Sequence, residues 1–136
     1  KKATWRDERC ASMRFIARSY IALGDKDLAR KWYKKAIKEA PYLRDAYVEL
    51  GILDYQYENY EAAVYYLEKA LLIKENRKSY INEIFSYNET PYDILSICYY
   101  NLGDYERAYT NVLKAYEINF NDERIKNNLN IIKEAL

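Results

Sequence analysis

Small residues recur at fixed intervals along this chain, and that recurrence restricts the fold more than any other feature. The stretch ALGDKDLA at 22–29 returns as NLGDYERA at 101–108, so that Ala29 and Ala108 stand 79 positions apart. A Gly-Asp pair after an apolar residue, with an alanine four positions on, reads as a helix end, a tight turn and a new helix start. Aligning KDLARKWYKKAI from Lys26 with YEAAVYYLEKAL from Tyr60 superposes Ala29 on Ala63 and Ala36 on Ala70, each pair 34 apart. With origins at Cys10, Arg44 and Glu89, the third copy begins 45 residues after the second, which makes the opening interval two repeats plus an insertion of eleven. A unit of this length cannot bury its own apolar face, so neighbouring units must stack.

The period and the residues that carry it resemble the tetratricopeptide repeat (TPR) family. Where that family has a small residue in the first helix, the chain has Ala17, Gly51 and Ser96; facing it in the second helix are Ala29, Ala63 and Ala108. Ala36, Ala70 and Ala115 fill a third small site against the next repeat. Large residues at Met13, Ile16, Tyr20, Tyr33, Tyr47, Leu50, Leu67, Tyr92, Leu95, Tyr99 and Val112 are expected to plug the space between helices, since dense packing alternates large and small side chains. Departures are Asp54 in a slot usually aromatic, and Glu58 where the turn glycine belongs, with Asn59 beside it as a residue that tolerates the left-handed conformation.

The expected architecture is therefore all-α: a TPR helical-hairpin solenoid in a single domain, with repeats at about 10–43, 44–77 and 89–121. Helices are expected at about 5–23, 26–40, 42–57, 60–75, 91–102 and 105–118. Ile125, Leu129, Ile132 and Leu136 share one face of a capping helix within 122–136. The insertion, about 78–88, carries Tyr80, Ile81, Ile84 and Phe85 at helix-like spacing and reads as a short packed helix or looped lid.

Composition agrees, with half the residues apolar, three glycines and two prolines. The net charge of +1 conceals an asymmetry: residues 1–40 carry +7 and the remainder −6, a gradient able to orient a partner or to serve as solvated surface. Cys10 and Cys98 have no metal-ligand spacing and read as buried reduced thiols, which suits a cytoplasmic location. No apolar run approaches the roughly 20 residues that cross a bilayer.

Catalytic chemistry has little to work with. The chain lacks histidine, the commonest general base and metal ligand. The acids cluster at helix starts, where they favour the N-terminal dipole, and Asp25-Lys26-Asp27 is better read as an N-cap than as a metal-holding motif. No catalytic residue, metal site or cofactor is expected. RKWYKK at 30–35 interleaves bases with aromatics, yet its register makes Tyr33 core and the lysines an exposed face, so no nucleic-acid partner is expected.

What the TPR resemblance implies is a groove lined by the first helices and a protein or peptide partner held in it. The inner positions fall on Arg14, Phe15 and Arg18, on Asp45, Glu49, Ile52 and Tyr55, and on Asp93, Ile97, Tyr100 and Asn101. Arg14 and Arg18 share a helical face; they either hold an incoming carboxylate or phosphate, or Arg18 pairs with Glu49 on the adjacent helix. Family members that grip chaperone tails do so from positions matching Arg14, Arg18, Glu49, Thr90 and Ile94, and Glu49 would repel such a tail.

A narrower resemblance covers nearly the whole chain. WRDERCASMRFIARSYIALGDKDLARKWYKKAIKEAPYLRDAYVELG, PYDILSICYYNLGDYERA and NDERIKNNL are similar to the TPR segment that follows the catalytic domain in some bacterial family 2 glycosyltransferases. This implies an accessory domain that binds an acceptor or the catalytic domain, or that mediates self-association, within a larger bacterial glycosyltransferase whose chemistry resides elsewhere.

Overall fold

The computed structural model describes residues 4–74 and 83–136. Among these residues the chain forms seven α-helices and no strand: α1 (Trp5–Ala22), α2 (Lys26–Glu39), α3 (Asp45–Gln56), α4 (Tyr60–Leu71), α5 (Thr90–Asn101), α6 (Tyr105–Ile118) and α7 (Glu123–Ala135). A single 3-10 turn, Ile84–Ser86, precedes α5. The helices pack as three hairpins, α1 with α2, α3 with α4 and α5 with α6, and each hairpin packs on the next. The result is a helical-hairpin solenoid closed by α7, as the repeat pattern predicts.

The three hairpin turns are built alike. Gly24, Glu58 and Gly103 adopt φ of +80°, +61° and +82°, and occupy one repeat position. In each turn the following amide reaches back across the helix end, Asp25 to Tyr20, Asn59 to Asp54 and Asp104 to Tyr99, at 2.8–2.9 Å. That bond, together with the one from the left-handed residue itself, satisfies carbonyls that the helix end leaves open. In the second turn Glu58 takes the left-handed conformation and Asn59 does not; the 6→1 bond fixes which residue must turn, whatever its side chain. Asp25 and Asp104 then cap α2 and α6 by accepting from Leu28 and Arg107. Thr4 accepts from the Asp7 amide at the start of α1.

Ala17, Ala29, Ala36, Ala63, Ala70, Ser96, Ala108 and Ala115 are all fully buried, and Gly51 with them. Of the large plugs, Tyr33, Leu50, Leu67, Leu95, Tyr99 and Val112 are buried, while Met13, Tyr20, Tyr47 and Tyr92 pack at the margins of the core. Ile16 departs from expectation at 37% exposure. It shares the outer face of α1 with the exposed Trp5 and Leu23, and no described helix packs on that side. Leu136 is likewise exposed, lying past the last turn of α7, whereas Ile125 and Ile132 join the core. Both thiols are buried, which pushes Cys10 and Cys98 up to about 12.

Two helix limits differ from the periodicity. α3 starts at Asp45 and not near 42, because the chain turns through 41–43 with Leu43 N–H on the Ala40 carbonyl. α4 stops at Leu71, four residues early. Tyr80 and Ile81 lie outside the described residues.

Asp54 is buried in α3, and Arg30 of α2 meets both its oxygens at 2.8 and 3.1 Å. The acid in an aromatic slot thus has a charge-assisted, bidentate partner, which burial of a carboxylate demands.

Candidate functional site

The groove positions that the sequence predicts on the first helices α1, α3 and α5 separate into two clusters. At the N-terminal end Glu49 of α3 sits under α1. Its carboxylate accepts from Arg14 Nη1 at 2.5 Å, from Arg18 Nε and Nη2 at 2.8 Å each, and from the Tyr33 hydroxyl at 3.0 Å. Burial, and the charge of the Glu49 it donates to, hold the Tyr33 phenol above the ordinary tyrosine range, so it remains a donor. The Phe15 ring is half-exposed, its centroid 5.7 Å from the Arg14 guanidinium carbon and 5.3 Å from that of Arg18.

Arg14 and Glu49 expose 2% and 6% of their side chains, so this pair is part of the interior. Of the two arginines that the sequence sets on one face, Arg18 alone is partly exposed and lines a cavity. Its Nη2 also meets Glu83 Oε1 at 2.6 Å, while Arg14 Nη1 lies 3.6 Å from the same oxygen. Arg18 and Arg14 together draw the Glu83 carboxyl below the usual range.

Glu83 is brought there by the segment before α5, which is clamped from α3 and the residue before it. Asp45 Oδ1 accepts the Glu83 amide at 2.9 Å. Arg44 donates from Nε to the Ile73 carbonyl and from Nη1 to the Ser86 carbonyl, its guanidinium carbon 4.7 Å from the Tyr87 ring centroid. Burial raises the Asp45 carboxyl above its ordinary value, against the pull of the Glu83 amide and the Arg14 charge. Asp45 therefore serves as an anchor inside the wall and not as a groove-lining acid. Between these groups lies an open cavity of about 350 Å³, walled by Arg18, Tyr33, Glu49, Ile52, Glu83 and Phe85.

The second cluster lies at the C-terminal end. Ile97 and Tyr100 of α5 form a cavity of about 180 Å³ with Asn128, Ile131 and Ile132 of α7. Asp93 is withdrawn from the groove: both its oxygens accept from Arg124, which fastens α7 to α5. Asn101 donates to the Ile97 carbonyl of its own helix. Tyr55 packs its ring 6.4 Å from that of Tyr60.

Glu83 and Phe85 belong to the insertion and have no counterpart in the repeat, so register gives them no position in the groove. Ile131 lies off the Ile125, Leu129, Ile132 and Leu136 face that marks α7 as a cap. The cavity it shares with Ile97 and Tyr100 of α5 is what joins it to the site.

A family model for the tetratricopeptide repeat matches residues 15–42 and 91–122. These stretches are tetratricopeptide repeats. α3 and α4 place a further helical hairpin between them, unmatched in sequence but with the same turn geometry and with small residues at the same positions. No curated protein sequence matches the chain. Among solved structures, the first TPR of Spaghetti (RPAP3) bound to the HSP90 peptide SRMEEVD is 18% identical, with TM-score 0.78 over 94% of this chain and 93% of that one. The N-terminal domain of stress-induced protein-1 from C. elegans is 12% identical, with TM-score 0.81 over 96% and 98%. The Yersinia enterocolitica type III secretion chaperone SycD, in complex with a peptide of the translocator YopD, is 16% identical, with TM-score 0.75 over 93% and 94%. At such identities the likeness is one of fold. Among the described residues no helix is long and apolar enough to cross a membrane.

Proposed function

We propose that this chain is a non-catalytic TPR interaction module, one domain that holds a segment of a protein partner along its inner face. The observation that carries the reading is the pair of open cavities, one bounded by Ile52 and Phe85 and the other by Tyr100 and Ile131. The groove's ionic groups are largely matched by neighbours, Glu49 by Arg14 and Arg18 and Asp93 by Arg124, so apolar and aromatic surface is what remains for a ligand. Large apolar side chains seated in such hollows supply most of the affinity of an interface. The first TPR of Spaghetti and the chaperone SycD, each solved with a bound peptide, lend the reading support by fold.

The test is selection of peptides from a random display library on the immobilised domain. Their affinities are then measured for the wild type and for the Tyr100→Asp plus Ile131→Asp variant, whose changes lie at exposed positions. A loss of tenfold or more in a variant that melts like the wild type supports the groove. Undiminished binding removes it.

A second reading makes the module an accessory domain of a bacterial glycosyltransferase, contacting its catalytic domain or acceptor or mediating self-association. It draws on the sequence runs similar to such enzymes and on the apolar outer face of α1, where Trp5, Ile16 and Leu23 offer a surface to another polypeptide. The parent reading frame tests it: a sugar-transferase domain upstream supports the reading, and its absence ends it.

A further inference from the structure

Glu49 and Glu83 share the same two arginines, but only one of them is built in. Glu49 is 6% exposed and receives four hydrogen bonds, whereas the Arg18–Glu83 pair leaves 38% and 31% of its side chains in solvent. A pair so exposed holds weakly, because water competes for both charges at little cost. A buried one resists removal, since whatever stays behind is desolvated and unmatched. Arg18 Nη2 donates to both Glu49 and Glu83, so withdrawing Glu83 leaves one of its N–H groups without that acceptor at the rim of the 350 Å³ cavity. Within that cavity Ile52 and Phe85 stand beside the cation. A guanidinium N–H left open beside an apolar hollow fits a carboxylate carried next to a large apolar side chain.

We infer that Glu83 is a resident competitor: its carboxylate occupies, from within the chain, the place on Arg18 that an acidic side chain of a bound protein segment would take. The inference rests on the groove reading above and names the ligand's chemistry, an acidic residue with an aromatic or aliphatic neighbour. A competitor tethered a few residues from its own anchors acts at an effective concentration near the millimolar range. External segments are bound only in proportion to the time Glu83 spends away. The backbone anchors, Asp45 on the Glu83 amide and Arg44 on the Ser86 carbonyl, are separate from the carboxylate, so the side chain exchanges while the segment stays in place.

The test uses two fluorescein-labelled, end-capped peptides, Asn-Glu-Ile-Phe-Ser-Tyr, which copies residues 82–87, and the same peptide with Gln for Glu. Their binding to the wild type, to Glu83→Gln and to Glu83→Gln plus Arg18→Ala is followed by fluorescence anisotropy, with thermal melts confirming that each variant folds. The acidic peptide is expected to bind Glu83→Gln at least fivefold tighter than the wild type. The Gln peptide is expected to show no such gain, and the Arg18→Ala background to abolish it. Equal binding of the acidic peptide to wild type and Glu83→Gln, or no binding to the folded Glu83→Gln variant, overturns the inference. Display-selected peptides that still need Tyr100 and Ile131 would in that case leave the groove reading intact, so the two failures are distinguishable.

Discussion

Gly51 of α3 lies directly beneath Leu67 of α4: a Cβ built on it would stand 2.7 Å from Leu67 Cγ and 2.9 Å from Cδ2. Leu67 is fully buried and has nowhere to retreat without opening the core. Gly51→Ala is expected to destabilise the fold by about 1–3 kcal/mol, the usual cost of overpacking, despite the better helix propensity of alanine. Chemical denaturation measures it, and a stability equal to or above that of the wild type would contradict so close an approach.

Glu58 carries the left-handed conformation that Gly24 and Gly103 carry in the other two turns. Glu58→Gly is expected to stabilise the chain by about 0.5–1 kcal/mol, the steric relief of an L-residue at positive φ less the entropy glycine adds to the unfolded chain. Gly103→Ala should move stability in the opposite direction. Paired thermal melts settle the signs.

Asp54 depends on Arg30. Arg30→Ala leaves the buried carboxylate without its bidentate donor and is expected to cost about 2–3 kcal/mol, below the full figure for a wholly buried pair because Arg30 is itself partly exposed. Replacing Asp54 by Phe together with Arg30→Ala restores the residue type usual in the repeat and should recover part of the loss. A double variant no more stable than Arg30→Ala alone would show that the pocket is shaped to the carboxylate.

Two acids around the insertion respond to pH with opposite signs. Burial raises Asp45, so the folded protein takes up its proton before the unfolded chain does, and this group makes stability fall as pH rises from its ordinary value near 3.8 through its folded one. Hydrogen bonds from Arg18, with the charges of Arg18 and Arg14, lower Glu83, whose contribution is present above its ordinary value of 4.5 and is lost as pH falls through its folded one. Melting temperatures compared between wild type and Asp45→Asn should diverge in favour of the variant as pH rises above about 4. A constant difference would mean that Asp45 keeps an ordinary titration in the fold.

The solenoid was legible because its cause is local and repeated. Alanines 34 apart in Ala29/Ala63 and Ala36/Ala70 mark where helices approach, and each is buried where the spacing puts it. The ends were less legible. Ile16 and Leu136 have the residue types of packing positions, but a repeat pattern carries no information about which faces lack a neighbour. In the groove the pattern located Arg14, Arg18 and Glu49 on adjacent helices and left two pairings open. Burial decides between them, since a guanidinium as enclosed as Arg14 needs a carboxylate beside it. The spacing marks Phe85 as a packing residue but places neither it nor Glu83 in the groove, because an insertion has no register and long-range contacts from Arg44 and Asp45 fix where it lies.

The central claim, that the inner face holds a partner segment, is tested most directly by mapping amide shifts in nitrogen-15-labelled protein titrated with a display-selected peptide. Perturbations are expected along α1, α3, α5 and the inner side of α7, strongest around Ile52, Ile97, Tyr100 and Ile131. Shifts confined to the second helices α2, α4 and α6, around residues such as Trp32 and Tyr65, would contradict it.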